Sequence, residues 1–295
     1  MPSKRESASK CRWHRAMPGL VLGLVIAGCG HPAPAPVAAR PGANETGQND
    51  PVPEHETFTL ASGAVGETRR INVHTPKGYA GSTRRFPVLY MPDGGVDEDF
   101  PHVVNTLDSL VALKQARPYI VVGIANTERR RDMTGPTTVG SDSAIAPRVG
   151  GSAAFRRFIR DELIPEIDRR YRTTPERAII GESLVGLFIV ETMLTDPRMF
   201  DRYIAFSPSL WWNRDALLAS APARLRGLGG LGRTLYLTRA NEPGIAPQSD
   251  TLATLIRTAR LSGFTVPSAP RPAEEHSTIY RAAGPAAMRR VLGGR

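Results

Sequence analysis

Ala178-Ile-Ile-Gly-Glu-Ser-Leu-Val-Gly-Leu187 is the stretch whose reading decides the fold. An apolar run ends at Gly181, Ser183 follows two positions later, and 184–193 is a second apolar run. This reads as strand, sharp turn and helix, with the serine at the apex. A serine on such a turn is held in a strained conformation with its hydroxyl above the sheet edge. The helix behind it offers backbone N–H groups and the positive end of its dipole to a developing oxyanion. The spacing departs from G-x-S-x-G, because Val185 takes the last glycine position and Gly186 comes one residue late. The competing reading is a serine that merely starts a helix.

Around this turn the chain alternates strand and helix patterns. Residues 57–60 and 69–74 alternate in hydrophobicity and predict a leading antiparallel pair. Residues 86–91 and 119–125 are continuous apolar runs of the buried, parallel-sheet kind. Further strands are expected at 178–181, 203–206, 234–238 and 265–268, and helices at 99–115 and 250–261. Phe155, Phe158, Ile159, Leu163, Ile167 and Tyr171 recur at helical spacing, with a kink or restart expected at Pro165. Strands alternating with helices imply an α/β fold, a mostly parallel central sheet with helices on both faces. Ligands in such sheets bind beyond the carboxyl ends of the strands, where Ser183 would sit.

A nucleophilic serine needs a base and a group to orient it, and on this kind of sheet the order is Ser, acid, His. Of the six histidines, only His276 follows Ser183. A solvated loop histidine is its alternative role. Glu242, just past the strand at 234–238, is the expected acid; Asp250 is its rival, read as opening a helix as a cap. The Leu184 amide and the loop Pro92-Asp-Gly-Gly-Val96, through Gly94 and Gly95, are the expected oxyanion hole, against a plain turn after a strand. Arg129 and Arg131 suit an anionic or polyphenolic acyl substrate if their loop faces the site, and a solvated basic loop if it does not. Trp211 and Trp212 read either as walls of an aromatic cleft or as packing under a loop.

The amino terminus is of another kind. Lys4, Arg5, Lys10, Arg12 and Arg15 precede a short apolar run, 17–28, too short for a span of about 20 residues. It ends Ile26-Ala27-Gly28-Cys29, which resembles the lipobox of bacterial lipoprotein signal peptides. That resemblance implies cleavage before Cys29, lipidation of that cysteine, and a protein anchored in the cell envelope at the outer membrane or periplasmic side. An ordinary signal peptide with an incidental cysteine is the alternative. Residues 1–28 are thus read as signal peptide, 29–55 as a Pro/Ala/Gly-rich tether, and 56–295 as one domain. The other cysteine, Cys11, falls in the signal region, so the mature chain has no disulfide and no thiolate chemistry. The net charge is +10; five Lys/Arg and one Glu up to Gly28 account for +4 and leave +6. That excess is scattered, without a basic stripe and interleaved aromatics, which argues against a nucleic-acid partner. No metal or cofactor is implied.

Four longer motifs carry a specific resemblance: Phe86-Pro-Val-Leu-Tyr-Met-Pro-Asp-Gly-Gly95, Ile124-Ala-Asn-Thr-Glu-Arg-Arg-Arg-Asp-Met-Thr134, Phe158-Ile-Arg-Asp-Glu-Leu-Ile-Pro165 and Ser207-Pro-Ser-Leu-Trp-Trp212. In this order, over about 56–290, they resemble the esterase family of esterase D and enterochelin esterase-like α/β-hydrolases. The resemblance implies the α/β-hydrolase fold and a serine esterase acting on small-molecule carboxylic esters of siderophore-like or aromatic acyl type. It supports Ser183 and His276; the acid position in this branch is variable. It also usually places glycine or a small residue where Val185 stands. A valine there predicts a crowded elbow, or a site that has drifted towards a non-catalytic binding lipoprotein; acyl transfer to an acceptor other than water is the remaining alternative.

Overall fold

The structure, a computed structural model, describes residues 50–293. Its single sheet has eight strands in the order β1-β2-β4-β3-β5-β6-β7-β8. β1 (Glu56–Ser62) pairs antiparallel with β2 (Glu67–His74), which runs antiparallel to β4 (Ile120–Ile124). From β4 onward, β3 (Phe86–Pro92), β5 (Thr173–Glu182), β6 (Arg202–Phe206), β7 (Arg233–Thr238) and β8 (Phe264–Thr265) are parallel. This is the mostly parallel sheet with a leading antiparallel pair that the hydrophobic pattern predicts.

The continuous apolar runs exist because both faces are covered. Along β3, Leu89 and Met91 join Ile180 and Ile204 against α1 (Phe100–Ala112) and α9 (His276–Leu292). The alternate residues Val88 and Tyr90 join Ile179 and Tyr203 against Phe155, Phe158 and Phe188 on the other face. Successive side chains of a strand point to opposite faces, so neither face tolerates a polar residue.

The helical stretch around Pro165 is resolved by a wide turn. α4 (Ser152–Arg157) passes into a π-helical turn (Phe158–Leu163) and then α5 (Ile164–Arg170), which carries Pro165 in its first turn. The chain stays helical through Leu163 and Ile164, so the wider π-helical turn is what accommodates a residue without an N–H. β8 is shorter than the run 265–268 suggests; Ser268 makes only an isolated bridge to Leu237. The seventeen-residue α9 is absent from the sequence reading. Gly284 and Pro285 in its middle act as breaker signals, and burial of Ile279, Ala283, Ala287 and Met288 overrides them.

Residues 50–55 fall in the stretch read as tether, yet they lie against the domain. Asp50 pairs with Arg281 at 2.6 Å, Asn105 Nδ2 donates to the Pro51 carbonyl at 2.8 Å, and the His55 ring packs edge-on to Phe100. The signal-peptide and Cys29 readings lie outside the described residues. Among the described residues no helix is long and apolar enough to cross a membrane.

Candidate active site

Ser183 sits between β5 and α6 (Leu184–Thr195) with φ +60° and ψ −119°, a conformation that is costly for a residue with a Cβ. The surroundings hold it there. Its N–H donates to the Phe206 carbonyl at 3.0 Å, and its own carbonyl accepts from Leu187 at 2.9 Å and Ser209 at 3.1 Å. Its Oγ lies 3.4 Å from Ser209 Oγ.

Val185 does not distort this turn. It is fully buried, and its Cγ1 occupies the space that a Cβ on Gly181 would need, 2.2 Å away. The first glycine of the motif thus makes room for the valine. Gly186 serves the other side: a Cβ there would meet the Phe206 carbonyl at 2.9 Å and Pro208 Cα at 3.0 Å. The late glycine lets α6 approach the chain that follows β6.

His276 is the first residue of α9, and its Nδ1 lies 2.7 Å from Glu242 Oε2. The contact is close but short of an in-line hydrogen bond, and it becomes an ion pair when the imidazole is protonated. A carboxylate at Nδ1 favours the tautomer that keeps its proton there and leaves the Nε2 lone pair available. Glu242 is itself oriented: Ser207 Oγ donates to its Oε1 at 2.9 Å, and Ser207 Oγ accepts from the Ala240 N–H at 3.1 Å. The Asn241 N–H reaches the Glu274 carbonyl at 3.2 Å, which ties the glutamate's loop to the histidine's. Asp250 does not compete. It lies inside α8 (Ala246–Ala259) rather than at its cap, and pairs with Arg239 at 2.6 Å. Burial works against a positive charge on His276, but Glu242 and Glu182 outweigh it and hold the imidazole pKa above its ordinary value.

The expected oxyanion hole needs correction in its second half. Leu184 opens α6, so its N–H has no intrahelical acceptor. The Gly94 N–H, however, donates to the Ile124 carbonyl at 3.0 Å, and the Gly95 N–H to Glu98 Oε2 at 2.7 Å. Both amides are spent on holding the loop. Gly94 is glycine because β4 crosses behind it: a Cβ would meet Gly123 Cα at 2.3 Å.

The basic loop also divides. Arg129 grips Asp93 with two hydrogen bonds of 2.8 Å, on the Ser183 side of the molecule, where Glu182 and Asp99 are among its charged neighbours. Arg131 is turned away from the site, to Glu67 and Asp132 at 2.7 Å each, beside the buried Arg69–Asp132 pair. It is a structural cation, and the substrate role read for it is withdrawn. Trp212 is likewise no cleft wall: it is buried, and its indole N–H donates to the Gly135 carbonyl at 2.8 Å. Trp211 is half-buried and packs obliquely on Trp212 at 6.0 Å between ring centres.

Three contributors escaped the sequence reading. Ser207 and Asn126 lie within two of the motifs that carry the family resemblance, which assigns them no role; Asn126 bridges Asp93 and Glu98 at 2.6 and 2.7 Å. Glu182 did carry a signal, as the one charged residue inside the apolar elbow. Its Oε1 is enclosed without a hydrogen-bond partner. Burial pushes its carboxyl up to about 8, against the attraction of His276 and Arg129.

A family model described as "Putative esterase" matches residues 62–227. The chain belongs to this esterase family. Ferri-bacillibactin esterase BesA of Bacillus subtilis (strain 168) is 35% identical over 153 residues, 45% of this chain and 51% of that protein. The siderophore triacetylfusarinine C esterase of Aspergillus fumigatus is 30% identical over 187 residues, 59% of this chain and 62% of that protein. The match to these curated relatives thus spans half to six-tenths of their length. Among solved structures, an IroE-like serine hydrolase from Shewanella oneidensis superposes with a TM-score of 0.73 at 27% identity, over 80% of this chain and 79% of that chain. The family match and these likenesses show the α/β-hydrolase fold.

Proposed function

We propose that this protein hydrolyses carboxylic esters through an acyl-enzyme. Ser183 Oγ attacks the ester carbonyl while His276 Nε2 takes its proton. The tetrahedral oxyanion is held by the Leu184 amide. Its collapse expels the alcohol, which takes the proton from His276. Water, deprotonated by the same imidazole, then releases the acid and restores Ser183. Glu242 keeps His276 in the required tautomer and offsets the charge it gains. The observation that carries this reading is the oriented pair: an imidazole with a carboxylate at 2.7 Å, and a serine at φ +60° at the head of a helix. The named activities of the relatives support a siderophore-like or aromatic acyl ester as the substrate class. Attachment to the envelope through a lipid on Cys29 belongs to the same proposal and rests on the motif around that residue.

The test is labelling with a fluorophosphonate probe together with turnover of p-nitrophenyl esters and a catecholate siderophore ester. Wild type should label at Ser183. Ser183→Ala and His276→Ala should each lose on the order of 10⁴–10⁶ in turnover, because they act as one unit. An unlabelled wild-type protein, inert on every ester, would overturn the proposal. Membrane fractionation of Cys29→Ser against wild type checks the anchor.

A further inference from the structure

The parallel sheet sorts charge towards the pole opposite Ser183. The amino-terminal ends of β3, β4, β5, β6 and β7 lie along one edge, and the helices that return to them end there. Arg84 and Arg85 stand just ahead of β3, Lys114 and Arg117 ahead of β4, and Arg289 and Arg290 occupy the last turn of α9. The Arg117 N–H donates to the Leu292 carbonyl at 3.0 Å, which joins the start of β4 to the end of α9. Arg84, Arg85 and Arg117 share the lining of an open cleft of about 350 Å³ with Pro118, Pro175 and Glu176. Glu176 is already shared between Arg117 and Arg202 at 2.6 Å each. Arg85 donates to the Thr173 carbonyl at 3.3 Å and Arg84 lies over the Phe86 ring at 5.3 Å, contacts that leave their charge unneutralised, and among the described residues none of Arg84, Arg85, Lys114, Arg289 and Arg290 has a carboxylate partner. Leu113, which lines a second open cleft with Arg289 and Asp50, is 66% exposed, one of two exposed large apolar side chains among the described residues.

Arginines in a last helical turn complement the helix dipole, which accounts for Arg289 and Arg290. It does not account for Arg84 and Arg85, which precede a strand, or for Leu113. Cations without a carboxylate partner, together with an exposed leucine at the same pole, are what an anionic bilayer surface recognises: headgroup charge attracts the cations, and the apolar side chain enters the interface. We propose that this pole is a docking face for an anionic phospholipid bilayer. β5 alone, ten residues long, separates the face from Ser183 by about 30 Å at the usual strand rise. Docked in this way, the protein turns its candidate active site to the aqueous phase. The face acts independently of the ester chemistry.

The experiment uses the chain from residue 29 onward carrying Cys29→Ser, so that neither an acyl chain nor the basic, apolar segment 1–28 contributes, in flotation with vesicles of phosphatidylglycerol–phosphatidylcholine or of phosphatidylcholine alone. Binding should favour the anionic vesicles and weaken as salt rises. Arg84→Gln with Arg85→Gln should lower the partition about twenty-fivefold, at roughly fivefold per cation removed from an anionic surface. Leu113→Ser should lower it further, and solution turnover of a p-nitrophenyl ester should stay at the parent value in all variants, which also checks their folding. Equal, salt-insensitive binding to both vesicles, or a folded double-glutamine variant that binds like its parent, would overturn the proposal. So would salt-sensitive binding to heparin without vesicle binding, which would assign the face to an acidic macromolecule instead.

Discussion

Gly181→Ala should damage the elbow although alanine is ordinarily no worse than glycine in a strand. The new Cβ would lie 2.2 Å from Val185 Cγ1 and 2.8 Å from its Cβ, and Val185 is fully buried in a helix that cannot retreat freely. Overpacking of this kind costs about 1–3 kcal/mol. Relief from the entropy of glycine returns about 0.5–1 kcal/mol, so a net loss of about 1–2 kcal/mol is expected. Val185→Gly alone should cost about 3 kcal/mol, about 2 for the lost buried side chain and about 1 for glycine in a helix. The double variant Gly181→Ala with Val185→Gly moves the side chain across the same contact. Once the valine is gone, the nearest atom left to the new methyl is Ile189 Cδ1 at 3.7 Å, an ordinary contact. The double variant should therefore be about 1–2 kcal/mol more stable than the two losses added together. Urea unfolding of the four proteins measures this coupling. Turnover should follow for Gly181→Ala, because a nucleophile displaced by about 1 Å loses on the order of 10²-fold. A fully stable, fully active Gly181→Ala, with additive losses in the double variant, would refute the reasoning.

The acid limb of kcat/KM should fall above the ordinary histidine value of 6.5, because a protonated His276 cannot accept the serine proton and its pKa is raised. Removing the carboxylate that contacts the ring by Glu242→Gln should move that limb to lower pH, and an unmoved limb would separate Glu242 from the histidine. Asp132→Ala leaves the fully buried Arg69 with Glu67 alone, at 2.7 Å, and should cost about 3 kcal/mol in urea unfolding, the low end for a broken buried pair; a loss under about 1 kcal/mol would show the Asp132 contact to be dispensable. Trp212→Phe should lower stability, through the lost hydrogen bond to Gly135, and leave KM unchanged; a changed KM at full stability would return Trp212 to the substrate cleft.

The apolar runs, the elbow and the single histidine downstream of Ser183 were legible because each is a local pattern or an order along the chain. A strand buried on both faces must be apolar throughout, and a strained serine turn needs its flanking strand and helix in sequence. The sequence by itself therefore determined the layered sheet and singled out Ser183 and His276 as candidates. What it left open concerned contacts between segments far apart in the chain. Glu242 rather than Asp250 reaches His276 because α8 carries Asp250 to Arg239 instead. The Gly94 and Gly95 amides looked free until β4 and Glu98 were seen to take them. Arg129 and Arg131, two positions apart, part company because Asp93 faces one while Glu67 and Asp132 face the other. Val185 reads as a fault in the motif, yet Gly181 across the turn leaves room for it. Residue type and spacing announce which groups a segment offers. Only the folded chain decides which of them are spent on each other, since a hydrogen bond or a van der Waals contact is set by distances of a few ångströms that no local pattern encodes.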